Sequence, residues 1–157
     1  MRRRRSTLSS IDMGKQRVGI SVLGEQRLPD GNVEKTDFFT EGTLEEKGGA
    51  LYLRYRESEL TGLDGTETEF CIEKNALTLR RTGELSSLLH FSPGVLDVSR
   101  YETPYGTLHA EVETTQLAIN MDGHGGTIRF AYTVTMEQQL TGEHSFLITV
   151  KEEEAKL

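Results

Sequence analysis

Cysteine occurs once in this 157-residue chain, tryptophan not at all, and proline three times. Cys71 alone cannot close an internal disulfide or anchor a multi-cysteine zinc site. That points to a reducing compartment, and the cytoplasm is the expected location. No apolar run approaches the ~18 residues of a membrane span, so no membrane insertion is expected. Arg2 to Arg5 are followed by no apolar stretch, so the N-terminus does not read as a secretory signal. Nor does any segment carry the 3.6-residue apolar period of an amphipathic helix.

Excess basic charge is also missing. The formal net charge is −7. Residues 1–12 hold four Arg and one Asp, or +3, which leaves −10 on the remainder. A phosphate backbone needs a basic face, so nucleic acid is not an expected partner of the body. The Arg run by itself could meet nucleic acid or an acidic lipid surface. The plainer account is that Met13 is the true start and the residues before it are extraneous. Residues 1–14 are therefore read as a disordered arm, 15–151 as the folded domain and 152–157 as a charged tail.

What the sequence has is alternation. Ile128, Phe130, Tyr132, Val134 and Met136 alternate with Thr127, Arg129, Thr133, Thr135 and Glu137. Val18, Ile20 and Val22 follow the same period, as do Leu51, Leu53 and Tyr55, and Phe70 and Ile72. So do Leu77 and Leu79, Leu108, Ala110 and Val112, and Phe146, Ile148 and Val150. Turn signals separate these runs: Leu28-Pro29-Asp30-Gly31-Asn32, Lys47-Gly48-Gly49, Gly62-Leu63-Asp64-Gly65, Lys74-Asn75-Ala76 and Thr82-Gly83-Glu84. Ser92-Pro93-Gly94, Thr103-Pro104-Tyr105-Gly106, Asp122 to Gly126 and Leu140-Thr141-Gly142-Glu143 complete the set. Strands with one apolar face and no helix to cover it must close on themselves or form a sandwich. Hairpin after hairpin favours a single closed antiparallel up-and-down β-barrel of roughly eight to ten strands. Between Val112 and Leu117 the apolar parity reverses, which predicts a β-bulge near Glu113.

Motifs for catalysis are lacking. There is no G-x-S-x-G elbow, no Walker loop, and no G-x-G-x-x-G opening a helix. His90, His109, His124 and His144 share no ligand spacing, and Cys71 has parity opposite to Phe70 and Ile72. The acidic residues Glu67, Glu69 and Glu73 read as a solvated wall. No catalytic residue, cofactor or metal is expected, and the chain reads as a non-enzyme.

Parity singles out a few polar residues in phase with apolar runs. Arg81 continues Leu77 and Leu79, Glu57 continues Tyr55, Tyr132 lies between Phe130 and Val134, and Thr114 continues Val112. An inward arginine must be paired, because its desolvation is otherwise too costly. It either meets Glu57 or snorkels to solvent, or it anchors the carboxylate or phosphate of a small amphipathic or anionic ligand. The candidate interior ligand residues are Arg81, Glu57, Tyr55, Tyr132 and Thr114. An alternative use is an outer-surface protein-interaction patch of Tyr52, Arg54 and Arg56.

The chain resembles the YwiB-like family of uncharacterised bacterial proteins over about Gln16 to Lys151. The resemblance rests on Leu51-Tyr52-Leu53-Arg54-Tyr55-Arg56-Glu57, Arg81-Thr82-Gly83, Tyr105-Gly106 leading to Val112-Glu113-Thr114, and Gly126 through Ile128 to Tyr132. It implies a cytosolic, calycin-like (lipocalin-type) barrel with no established activity and supplies no catalytic residues. The Gly-x-Trp signature of true lipocalins is absent, since there is no Trp.

Overall fold

A computed structural model describes residues 15–58, 64–83, 86–137 and 139–153. The arm at 1–14 and the tail from 154 lie outside these, as do the turn positions Gly62, Leu63 and Glu84. Ten antiparallel strands run β1 (Lys15–Arg27), β2 (Val33–Lys47), β3 (Ala50–Arg56), β4 (Thr66–Ile72) and β5 (Leu77–Gly83). Then follow β6 (Ser86–Phe91), β7 (Leu96–Thr103), β8 (Gly106–Asp122), β9 (Gly125–Met136) and β10 (Gln139–Glu152). Each strand pairs with its neighbour in sequence, and β1 pairs β10 from Val18↔Glu152 to Arg27↔Glu143, so the meander closes as a barrel.

The turns form for the local reasons that Gly, Asp and Asn supply. At Leu28–Asn32, the Gly31 amide donates to the Leu28 carbonyl at 2.9 Å, the Asn32 amide donates to Asp30 Oδ1, and Gly31 takes φ +94°. One expected turn is corrected. Leu140 to Glu143 lies inside β10, and the register shifts between Leu140 and Gly142. The chain reverses just before it, where Glu137 adopts φ +50°. Leu-Thr-Gly-Glu reads equally as turn or bulge, since both suit glycine. Glu152, expected to open the charged tail, is the last residue of β10, and the Glu153 amide donates to the Arg17 carbonyl.

The inside of the barrel is layered by register. Leu51, Ile72, Leu77 and Phe91 align across β3 to β6, and Leu53, Phe70, Leu79 and Leu89 form the next row. Val18, Ile20, Leu44, Ile128, Ile148 and Val150 fill the same half from the other side, all essentially inaccessible to solvent. Each such side chain contributes ~1.5–3 kcal/mol by leaving water. The third row is different in kind. Tyr55↔Thr68, Thr68↔Arg81 and Arg81↔Ser87 place four polar side chains at one level across four adjacent strands. One half of the barrel is thus an apolar core, and the other begins with a polar belt.

The wall is uneven. Strand β3 pairs β2 only from Gly42 to Lys47, so Val33–Glu41 pairs with β1 alone among the described residues. Strands β6 and β7 pair at Ser86↔Glu102 and Ser87↔Tyr101 and then part. On β8 the predicted bulge is present between Thr114 and Gln116, with Thr115 as the extra residue. It turns Leu117, Ile119 and Met121 back toward the core they would otherwise face away from. Deleting Thr115 should leave Gln116 directly after Thr114 and opposite Ala131, so that Leu117, Ile119 and Met121 keep their inward face. Urea denaturation should then show a cooperative transition within about 2 kcal/mol of wild type; a larger loss or no transition would mean that Thr115 is not the extra residue of this register.

Candidate functional site

The polar belt borders a cavity of about 420 Å³ at the open end of the barrel. Arg81, Glu57, Tyr55 and Tyr132 all line it, so four of the five interior residues singled out by parity converge there. Thr114 does not line it. Its hydroxyl is buried and accepts a hydrogen bond from the Ser92 amide at 3.1 Å, tying β8 to the turn after β6.

Glu57 follows β3 and is fixed by its amide, which donates to the Thr66 carbonyl at 2.9 Å. Its side chain is 2% exposed, and the Thr68 hydroxyl donates to Oε2. Arg81 Nε lies 3.9 Å from the same oxygen, an ion pair too long to be a hydrogen bond. Nε is buried and has no hydrogen-bond partner among the described residues. The Arg81 side chain is 25% exposed, so it does not snorkel freely, and its Nε is not satisfied by the carboxylate. Burial pushes the Tyr55 phenol well above its ordinary value, and the Glu57 charge adds to this while Arg81 opposes it. Tyr55 is therefore a neutral hydroxyl at the cavity wall.

Apolar walls complete the cavity. Phe130 is the centre of an aromatic cluster, 5.0 Å from Phe91, 5.3 Å from Phe146, 6.0 Å from Tyr132 and 6.2 Å from Phe70, centroid to centroid. Val22, Leu79 and Ile148 lie beside it. Lys35, Thr36, Asp37 and Phe38 of the singly paired part of β2 form the remaining side, where Phe38 meets Tyr55 at 6.3 Å. Parity did not point to these β2 residues. It could have pointed to His144, which is in phase with Phe146 and Ile148 and stacks on Tyr132 at 4.8 Å with rings 4° from parallel.

Chemistry elsewhere is subdued. No group of three or more His, Cys, Asp or Glu among the described residues is placed to hold a metal. Burial raises the Cys71 thiol pKa, opposite to what a nucleophile needs. On the outer face, Arg54 is already held, 2.7 Å from Glu69 and 3.0 Å from Glu45, with its guanidinium 5.7 Å from the Tyr52 ring centroid. The Arg54 hydrogen bond lowers the Glu45 pKa, and the Cys71 contact raises that of Tyr52. Arg56 is exposed at the end of the same strand. No helix among the described residues is long and apolar enough to cross a membrane.

Two outcomes follow from the buried groups. Removing Arg81 alone leaves Glu57 buried and uncompensated, so Arg81→Gln should cost about 3 kcal/mol. Glu57→Gln with Arg81→Gln should recover most of that in denaturant unfolding; equal losses in single and double variants would show that the two side chains are not coupled. Burial lowers the His144 pKa from 6.5. The unfolded chain then binds the proton more readily, so this contribution is complete above pH 6.5 and is lost as pH falls through the lower folded value. The stability advantage of wild type over His144→Gln should shrink from pH 7.5 to 5, and a constant difference would mean that the imidazole is solvated.

Comparison with known proteins bears on the fold. A search of curated protein sequences finds no match. Among solved structures, the crystal structure of the ywiB protein from Bacillus subtilis superposes with a TM-score of 0.79 at 22% identity, covering 90% of this chain and 94% of that one. The family described as Domain of unknown function (DUF1934) matches residues 20–148, nearly the whole barrel from β1 to β10. The chain is a member of the DUF1934 family, with a YwiB-like fold.

Proposed function

We propose that this protein is a non-enzymatic binding barrel for a small amphipathic ligand, whose apolar body lies against Phe70, Leu79 and Phe130 and whose anionic end meets Arg81. One observation carries the reading: Arg81 Nε is buried at the wall of an aromatic cavity, 3.9 Å from Glu57 Oε2 and without a hydrogen-bond partner among the described residues. A donor left so in an apolar site costs free energy that a ligand oxygen would recover. The volume is within the range of small-molecule pockets, and a mostly apolar wall with few convergent polar groups is their usual composition. The lone cysteine supports a cytoplasmic location. The acidic body supports a ligand other than nucleic acid.

The alternative, a protein-interaction patch at Tyr52, Arg54 and Arg56, has less support, because Arg54 would have to leave two carboxylates to serve a partner. Native mass spectrometry of protein purified without unfolding should show a co-purifying small molecule. The Glu57→Gln/Arg81→Gln double variant, which leaves no unpaired charge, should lose it. A protein of bare chain mass whose cavity also fails to take up a neutral apolar fluorophore would refute the reading.

A further inference from the structure

Where β6 and β7 part, the barrel wall holds a second space, a slot of about 570 Å³. Past Ser87 on β6 and before Tyr101 on β7, the strands have no ladder partner across it among the described residues. Three arginines line the slot, Arg80 and Arg81 from β5 and Arg100 from β7, against one carboxylate, Asp97. Among the lining residues that is an excess of two positive charges, opposed from outside the slot only by the long contacts of Arg81 with Glu57 and Arg80 with Glu69, both 3.9 Å, among the described residues. The slot also contains the two lining groups whose buried polar atoms have no hydrogen-bond partner among the described residues: Ser87 Oγ and Arg81 Nε. At its rim, Leu88 is 45% and Val98 61% exposed.

We propose that this slot is an oxyanion site for the phosphate group of a phosphomonoester with an apolar ester group. Guanidinium groups bind phosphate through paired N–H donors, and three of them with a hydroxyl supply more donors than the two oxygens of a carboxylate can accept. The three terminal oxygens of a phosphomonoester use that surplus. The exposed Leu88 and Val98 give an aryl or alkyl group a surface to cover. Arg80 can turn to the ligand at little cost, since its ion pair with Glu69 is 3.9 Å long and its side chain is more than half exposed. The site does not require the interior cavity to be occupied; the two share only Arg81.

The test is binding of phenyl phosphate at constant ionic strength, followed by its ³¹P shift and by calorimetry. Phenylacetate, inorganic phosphate and a set of variants serve for comparison. Phenyl phosphate should saturate and bind at least tenfold more tightly than phenylacetate, with inorganic phosphate between them. Arg100→Gln, which lines the slot alone and is exposed, should weaken it tenfold or more, and Ser87→Ala severalfold. Arg129→Gln, exposed on the outer wall of β9, should change nothing. Absence of saturable binding, or equal binding by wild type and Arg100→Gln, would overturn the proposal. Loss on Lys35→Gln with Arg100→Gln unaffected would put the anion in the interior cavity, which refutes the slot while leaving the binding-barrel reading intact.

Discussion

An arginine set in phase with core leucines constrains everything around it. Arg81 follows Leu77 and Leu79 on β5, so its charge enters the barrel with the apolar row. Desolvating a guanidinium is tolerable only with a carboxylate and further polar neighbours. Glu57 supplies the carboxylate, the Thr66 carbonyl fixes the backbone that carries it, and the Thr68 hydroxyl holds its oxygen. Tyr55 and Ser87 extend the polar row to either side. No apolar side chain can pack densely on such a row without burying unmet donors, and the apolar filling stops there. The cavity beyond the belt is the consequence of the charge, rather than a packing fault.

The two halves of the barrel divide the work. Below the belt, rows of Leu, Ile and Phe provide the cohesion of a core with no helix to cover it. The β1–β10 pairing removes the sheet edges at that seam. Close approach of strands needs glycine where a Cβ has no room: at Gly42 on β2 it would run into the Arg54 carbonyl oxygen of β3. Closure loosens in two places. Above the belt, Val33–Glu41 of β2 has no second neighbour among the described residues, and below it, past Ser87, β6 and β7 diverge. The interior cavity and the arginine slot open at these two places. Their shared residue is Arg81.

The barrel was legible from period-two alternation wherever a strand has one wet and one dry face, as in β1, β3, β8 and β9. The bulge at Thr115 was legible because parity on β8 reverses between Val112 and Leu117. Strand β2 was silent for a physical reason: among its fifteen residues only Leu44 is fully buried, and neighbouring Phe38 and Phe39 face opposite sides. In β7 the pattern is inverted, with Leu96 and Val98 on the exposed face and Asp97 less exposed between them. The site was legible to the extent that it reuses alternation. Arg81, Glu57, Tyr55 and Tyr132 are polar residues in apolar phase. Thr114 meets the same criterion yet sits outside the cavity lining, because parity gives a face and not a height along the barrel. Lys35 and Asp37 lie on the strand without a pattern, so nothing in the sequence assigned them to the cavity.

A crystal structure of protein purified from its source without any unfolding step would decide what the polar belt is for. The expected result is electron density for a small molecule in the 420 Å³ cavity, with an oxygen within hydrogen-bonding distance of Arg81 Nε and its apolar part against Phe130. A cavity closed by Phe130, Tyr132 and Phe146, with Arg81 Nε hydrogen-bonded to Glu57, would contradict it and leave the belt a purely structural ion pair.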